Sequence, residues 1–167
     1  MIKKIILVAA GLIFPLIASA AQPIYQLDAK DGNWSAFHYQ DAQSQKVTAC
    51  FALSNDLALG FKSSNDEVGL LTWSKQGKLQ PKTDTRFAIT VGKQHFIFTM
   101  QAMDQNMSMN RLSDQDFKRL LEALSYGQIA LLEYGKNPVK VVDLSGLPNI
   151  LAKFHQCIKN ANFKDYK

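Results

Sequence analysis

The fold is decided by residues 87–100, which read Phe-Ala-Ile-Thr-Val-Gly-Lys-Gln-His-Phe-Ile-Phe-Thr-Met. Two arms rich in β-branched and aromatic residues flank Gly92-Lys93-Gln94, whose glycine tolerates a positive φ, so the pattern predicts a tight hairpin. Alternation divides the side chains of the second arm between two faces, with Phe96, Phe98 and Met100 on one and Ile97 and Thr99 on the other. Because both faces are fairly apolar, this strand is expected in the middle of a sheet.

Similar strand signals run from residue 32 to residue 112, as two-residue periods or short apolar runs between turn residues. The predicted strands are 34–39, 46–53, 57–61, 68–74, 87–91, 95–100 and 108–112, and two more, 128–134 and 139–144, flank the turn 135–138.

Two amphipathic helices are predicted in the C-terminal third. Ser113 caps the first, with Asp114 and Asp116 in its first turn, and Gly127 ends it. The second begins after Ser145 and carries Cys157 on the same face as its apolar stripe. We therefore predict a mostly β (α+β) chain, an antiparallel β-sandwich-like domain with two helices, the C-terminal one tethered to the sheet by a disulfide.

Residues 1–20 have the layout of a signal peptide, with Lys3 and Lys4, an apolar run and then small residues. The apolar run is short and contains Pro15, so no stable membrane insertion is expected after cleavage. Residues 21–167 are then a single β-rich exported domain, periplasmic or secreted.

The two cysteines, Cys50 and Cys157, are predicted to form a disulfide, because an oxidising compartment favours pairing. The bond would close a loop of about 107 residues (157 − 50), worth at most about 4–5 kcal/mol in the chain-entropy model, because strain reduces the stabilisation. Intermolecular pairing and metal binding remain alternatives, although no C-x-x-C pair is present.

Charge and motifs exclude several functions. The formal charge of +5 becomes +3 without Lys3 and Lys4, and the basic residues are scattered, so nucleic-acid binding is not expected. The histidines are His38, His95 and His155, and no G-x-S-x-G or H-E-x-x-H motif accompanies them. We predict no catalytic residue and no cofactor-binding motif, with an unrecognised hydrolase as the weaker alternative.

Residues 100–109 contain four methionines downstream of His95, namely Met100, Met103, Met107 and Met109. Thioethers are soft ligands that select Cu(I), so these five residues form a candidate copper site. Alternatively, Met100 and Met109 fill the core while Met103 and Met107 cap a loop, or the loop is an adaptable protein-binding surface. The larger aromatics are interpreted as core: Trp34, Phe37, Tyr39, Trp73, Phe96 and Phe98.

Three short motifs carry a family resemblance: Gly32-Asn33-Trp34, Val47-Thr48-Ala49-Cys50, and 142–147 before the helix that carries Cys157. With the leader, they resemble small periplasmic proteins of the invasion-associated locus B type and type VI secretion-associated periplasmic proteins. The resemblance implies a compact β-sandwich-like fold with a packed helix and no known catalytic activity.

The leading hypothesis is a non-enzymatic exported module that binds another protein, whose identity the sequence does not give. It would be an accessory factor of secretion or virulence, or an immunity protein or inhibitor. Periplasmic copper binding through the methionine-rich segment is the alternative.

Overall fold

The computed structural model describes residues 24–65, 67–73 and 78–164. The expected signal peptide, residues 1–20, and Ser74 lie outside the described residues. Across the described ranges the chain forms ten strands and two helices, in the order β1 (Ile24–Asp31), β2 (Trp34–Gln40), β3 (Val47–Ser54), β4 (Gly60–Ser64), β5 (Glu67–Trp73), β6 (Asp84–Val91), β7 (Gln94–Ala102), β8 (Met107–Arg111), α1 (Asp114–Tyr126), β9 (Ile129–Tyr134), β10 (Lys140–Asp143) and α2 (Leu147–Asn160).

The strands form one antiparallel sheet in the order β1-β2-β3-β4-β5-β8-β7-β6-β9-β10. The mostly antiparallel β architecture with two helices is confirmed. The sheet is a curled half-barrel and not clearly a sandwich, because its strands follow one another in a single hydrogen-bonded order.

The predicted hairpin is confirmed at β6 and β7. Phe87 pairs with Phe98 and Ile89 with Phe96, and Gly92 has a φ of +56° in the turn. β7 lies between β6 and β8, as expected for a central strand. Its outer face is nevertheless open, since Ile97 is 58% exposed.

The strand predictions fail in two places, one a missing strand and the other a strand boundary. β1 was not predicted, although it pairs with β2 along its length. The predicted strand 57–61 begins too early, because Leu57 has a φ of +61° and belongs to a turn. Asp56 stabilises that turn by accepting hydrogen bonds from the Ser54 hydroxyl at 2.7 Å and the Ala58 amide at 3.1 Å.

The core lies between the inner face of the sheet and the two helices. Its largest fully buried side chains include Trp34, Phe61, Phe87, Phe117 and Phe154. The Phe117 ring contacts Phe61 at 5.8 Å and Phe154 at 6.4 Å between centroids, both edge to face. α2 packs on β1, β2 and β3. One core therefore joins both helices to the sheet.

Helix α1 begins and ends as predicted. The Ser113 hydroxyl accepts a hydrogen bond from the Asp116 amide at 3.1 Å, and Gly127 follows the last helical residue. Helix α2 differs slightly, because its N-cap is Gly146 with a φ of +82°. Ser145 instead donates its amide and hydroxyl to the Asp143 carboxylate, both at 2.8 Å.

The predicted disulfide is confirmed: Cys50 on β3 is bonded to Cys157 on α2, with their Cα atoms 6.0 Å apart. The bond fastens the C-terminal helix to an early strand across a sequence separation of 107. A disulfide indicates a non-reducing compartment. Among the described residues, no helix has the length and apolar character needed to cross a membrane.

The two edges of the sheet meet at the turn that joins β1 to β2. Trp34 Nε1 donates to the Asp143 carbonyl at 2.9 Å, and Asn149 donates to Asp31 at 2.6 Å. A Cβ on Gly146 would lie 2.4 Å from the Asp31 carbonyl oxygen, so the two chain segments are packed backbone to backbone. The short motifs around Trp34 and around residues 142–147 are thus two sides of one contact.

Candidate protein-binding face

Four aromatic side chains gather on the outer face of β1, β2 and β3. Phe37 and Tyr39 share this face because they are two residues apart on one strand, and Phe51 and Tyr25 are cross-strand neighbours of Phe37 and Tyr39, respectively. Phe37 stacks on Phe51 at 4.7 Å, and Tyr25 and Tyr39 contact that pair at 4.8 and 5.0 Å. We call these four residues the outer aromatic cluster.

A groove of about 420 Å³ continues from this cluster across β3, β4, β5 and β8. Trp73 and Met107, which are paired across β5 and β8, line its far side. The remaining lining residues are mostly apolar, and the principal ones are Leu53, Leu57 and Leu71. We call this feature the outer groove.

Large apolar side chains are exposed on the outer surface, where contact with water does not stabilise a monomer. Tyr25 is 55%, Leu27 54% and Trp73 41% exposed. Contiguous apolar surface of this kind typically marks an interaction site. The expectation that Trp73, Phe37 and Tyr39 belong to the core is therefore wrong. Trp73 is exposed, Tyr39 is half-buried on the outer face, and Phe37 is buried by its outer-face neighbours, outside the core cluster.

Charged residues of both signs lie beside the groove. Lys62, which lines it, pairs with Glu67 at 3.0 Å, and Arg111 pairs with the same carboxylate at 2.6 Å. Two cations therefore share one anion, and Arg111 is 80% exposed on its side chain. Arg111 lines the depression next to the groove, together with Lys62, Glu67 and Asp84.

The structure divides the predicted copper ligands among three places. Met103, Met107 and Met109 line one depression of about 610 Å³ next to the outer groove, and Met107 borders both. Met100 is fully buried on the inner face. His95 lies at the opposite end of β7, where Nδ1 is 2.8 Å from the Thr90 hydroxyl. Three of the five residues are brought together.

The histidines differ in their surroundings. His38 Nδ1 lies 2.8 Å from the Asp28 carboxylate, so this histidine is hydrogen-bonded. His155 is half-buried on α2. Over the described ranges, one group of three His, Cys, Asp or Glu residues is close enough to hold a metal ion, namely Asp28, His38 and Cys157, and the Cys157 sulfur is bonded to Cys50.

Asp56 and Asp143 have lowered pKa values because each accepts hydrogen bonds within a turn. Burial is the largest influence on Asp56 and raises its pKa, but hydrogen bonds from Ser54, Lys140 and the Ala58 amide outweigh burial, so the net pKa is lowered. The Ser145 amide and hydroxyl lower the pKa of Asp143. Both groups stay ionised and acceptor-only at neutral pH, so neither is a candidate general acid.

Sequence reasoning missed Tyr25 and Leu27 because β1 was not predicted. An apolar residue at every second position from Tyr25 to Ala29 was the available signal, although the bulge at Asp28 interrupts the pairing. Trp73 could not be separated from core aromatics, since it follows the apolar pair Leu70-Leu71 with only Thr72 between them. The chain matches no known protein-family model, no curated protein and no solved structure.

Proposed function

We propose that this protein is an exported, non-enzymatic binding module that holds a segment of another protein on its outer aromatic cluster and outer groove. The observation that carries the proposal is the contiguous apolar surface that includes Tyr25, Leu27 and Trp73, each more than 40% exposed. A continuous sheet stapled to α2 supports it as a rigid platform, which limits the entropy lost on binding.

The chemistry of the face defines the occupant. Aromatic anchors and a groove of about 420 Å³ suit a segment with large apolar side chains. Arg111 lies beside the groove with its side chain 80% exposed, so an acidic residue flanking that segment should pair with it. Met107 adds a flexible contact, as expected for the adaptable methionine surface.

The compartment and biological role belong to the same proposal. A predicted leader together with a disulfide supports a periplasmic or secreted location. The resemblance to invasion-associated locus B and type VI secretion-associated proteins favours an accessory factor of secretion or virulence, or an immunity protein or inhibitor. Each role requires a protein partner and no catalysis.

The experiment compares immobilised variants in a periplasmic extract of the native host. The double variant Tyr25→Ser/Trp73→Ser removes exposed apolar anchors from the proposed face. Ile97→Ser is the matched control, because Ile97 is 58% exposed on β7, on the same side of the sheet, but does not line the outer groove. A partner recovered in stoichiometric amount is then purified and its affinity measured for each protein.

We expect the double variant to bind at least tenfold more weakly than the wild type, and Ile97→Ser to bind like the wild type. The partner's binding segment should contain large apolar residues and flanking acids. Equal affinity for all three proteins would contradict the proposal, as would the absence of any partner. Self-association lost in the double variant would identify a second copy as the occupant and also contradict it.

A second candidate function is Cu(I) binding, which the shared depression lined by Met103, Met107 and Met109 favours. Cu(I) titration of the disulfide-bonded protein tests it without interference from thiols. Met103→Leu should weaken binding at least tenfold, whereas Met100→Leu, in the buried core, should not. Binding no tighter than micromolar would remove this candidate.

A further inference from the structure

The Asp28 carboxylate on β1 contacts the His38 imidazole on β2, away from the proposed binding face. The register of β1 and β2 shifts between Leu27 and Ala29, so Asp28 is the extra residue of a bulge. Bulges redirect side chains, and here the Asp28 carboxylate reaches His38 Nδ1 at 2.8 and 2.9 Å. Asp28 therefore holds one ring nitrogen and leaves Nε2 for another partner.

The pair lies beside the disulfide. His38 is the cross-strand neighbour of Cys50, and α2 brings Cys157 over the same place. A ring nitrogen of His38, an Asp28 oxygen and the Cys157 sulfur lie within 4.8 Å of one another. His38 Nε2 is buried and has no hydrogen-bond partner in the structure. A buried nitrogen without a partner costs free energy, and a bound metal ion would satisfy it.

We propose that reduction of the disulfide turns this corner into a Zn²⁺ site. The thiolates of Cys50 and Cys157 and Nε2 of His38 are the three protein ligands. Asp28 does not bind the metal but fixes the orientation of the ring through Nδ1, the usual arrangement behind a metal-bound histidine. Two sulfurs and one imidazole nitrogen, with one open position, form a recognised zinc ligand set.

The described geometry fits this ligand set. Zn–S bonds of about 2.3 Å need two sulfurs less than about 4.6 Å apart, and the Cα atoms of Cys50 and Cys157 are 6.0 Å apart, so rotation of the side chains suffices. A hollow of about 240 Å³ lined by Asp28, His38, Cys157 and Lys153 leaves room for a water as the fourth ligand.

The redox step balances with a dithiol as reductant. The dithiol supplies two electrons and two protons, the Cys50–Cys157 bond breaks, two S–H bonds form, and the reductant leaves as its own disulfide. Zn²⁺ then displaces the two thiol protons to solvent as the sulfurs bind it. Reoxidation by a disulfide would release the metal, so the oxidised protein should not bind Zn²⁺ at this place.

The test titrates Zn²⁺, and Co²⁺ as a spectroscopic probe, into the protein before and after reduction with a dithiol that is then removed. The reduced protein should bind one Zn²⁺, and Co²⁺ should give thiolate-to-metal charge-transfer absorption. His38→Ala should lower the affinity at least tenfold, and Asp28→Asn about 10- to 100-fold. His95→Ala is the matched control and should not change it.

Circular dichroism in each state keeps the result interpretable if reduction weakens the fold. A reduced protein that unfolds should regain its native spectrum when Zn²⁺ is added. Failure to regain it overturns the proposal. Equal losses of affinity in His38→Ala and His95→Ala, or equal binding by the Cys50→Ser/Cys157→Ser variant, also overturn it, since each would mean adventitious binding.

Discussion

The Trp34 indole donates its N–H to the main-chain carbonyl of Asp143 across a distance of 2.9 Å and a sequence separation of 109. This contact joins the first part of the sheet to its last strand, and Trp34 is fully buried. Replacement by Phe removes the donor and part of the packing, and should lower the free energy of unfolding by about 1–3 kcal/mol.

Chemical denaturation followed by circular dichroism measures that change. Trp73→Phe is the control, because Trp73 is 41% exposed and should change stability by about 0.5 kcal/mol or less. If the two variants lose equal stability, the Trp34–Asp143 contact does not hold the edges of the sheet together.

Gly92 and Gly146 both have a positive φ but differ in how closely other atoms approach them. Their φ angles are +56° and +82°, but a Cβ on Gly92 would meet nothing within 4 Å, whereas one on Gly146 would lie 2.4 Å from the Asp31 carbonyl oxygen. Gly92→Ala should cost about 1–2 kcal/mol for conformation alone. Gly146→Ala should cost about 1–3 kcal/mol more because the two segments must separate. If the two variants lose equal stability in denaturation experiments, the close approach of Gly146 to Asp31 does not contribute to the cost.

The disulfide should stabilise the fold chiefly by restricting the unfolded chain. Its sequence separation of 107 is large, and we expect reduction to lower the free energy of unfolding by about 2–4 kcal/mol. Denaturation of the oxidised protein and of the Cys50→Ser/Cys157→Ser variant, both in the absence of metal, measures the difference. If the variant is as stable as the oxidised protein, the disulfide does not stabilise the fold.

Asp56 should make stability depend on pH in the acid range. Its pKa is lowered in the folded state, where hydrogen bonds from Ser54 and Lys140 overcome the effect of burial. Its stabilisation is therefore complete above the carboxyl's unfolded-state pKa of about 3.9, and is lost as the pH falls through the lower folded-state pKa.

Asp56→Asn should accordingly destabilise the protein at pH 7 and much less below the folded-state pKa. Thermal unfolding over this range measures the difference. Lys140→Met removes the cation 2.9 Å from the carboxylate and should reduce the pH dependence. A loss for Asp56→Asn that is the same at every pH would show that the charge of Asp56 is not what stabilises the turn.

The candidate protein-binding face could be predicted only in part. Alternation along β2 places Phe37 and Tyr39 together, because neighbours two apart share a face in any strand. Tyr25 was missed with β1, and Trp73 was interpreted as core. Which face of a strand meets solvent depends on where the helices pack, and no local pattern contains that information.

The methionine segment illustrates the same limit. Its composition indicates soft-ligand chemistry, but alternation on β7 sends Met100 inward, while Met103, Met107 and Met109 line an outer depression. His95 is far along the strand. Proximity in sequence therefore did not ensure proximity in space.

By itself, the sequence determined the strand-rich class, the hairpin at Gly92, helix α1 with its cap at Ser113, and the single intrachain pairing open to two cysteines. These follow from short-range sterics, hydrogen bonding and the count of thiols. Only the tertiary structure decided that the strands form one curled sheet, that aromatic residues remain on its outer face, and that Asp28 and His38 lie beside the disulfide. Those features depend on register, curvature and helix docking, which arise from contacts between residues far apart in the chain.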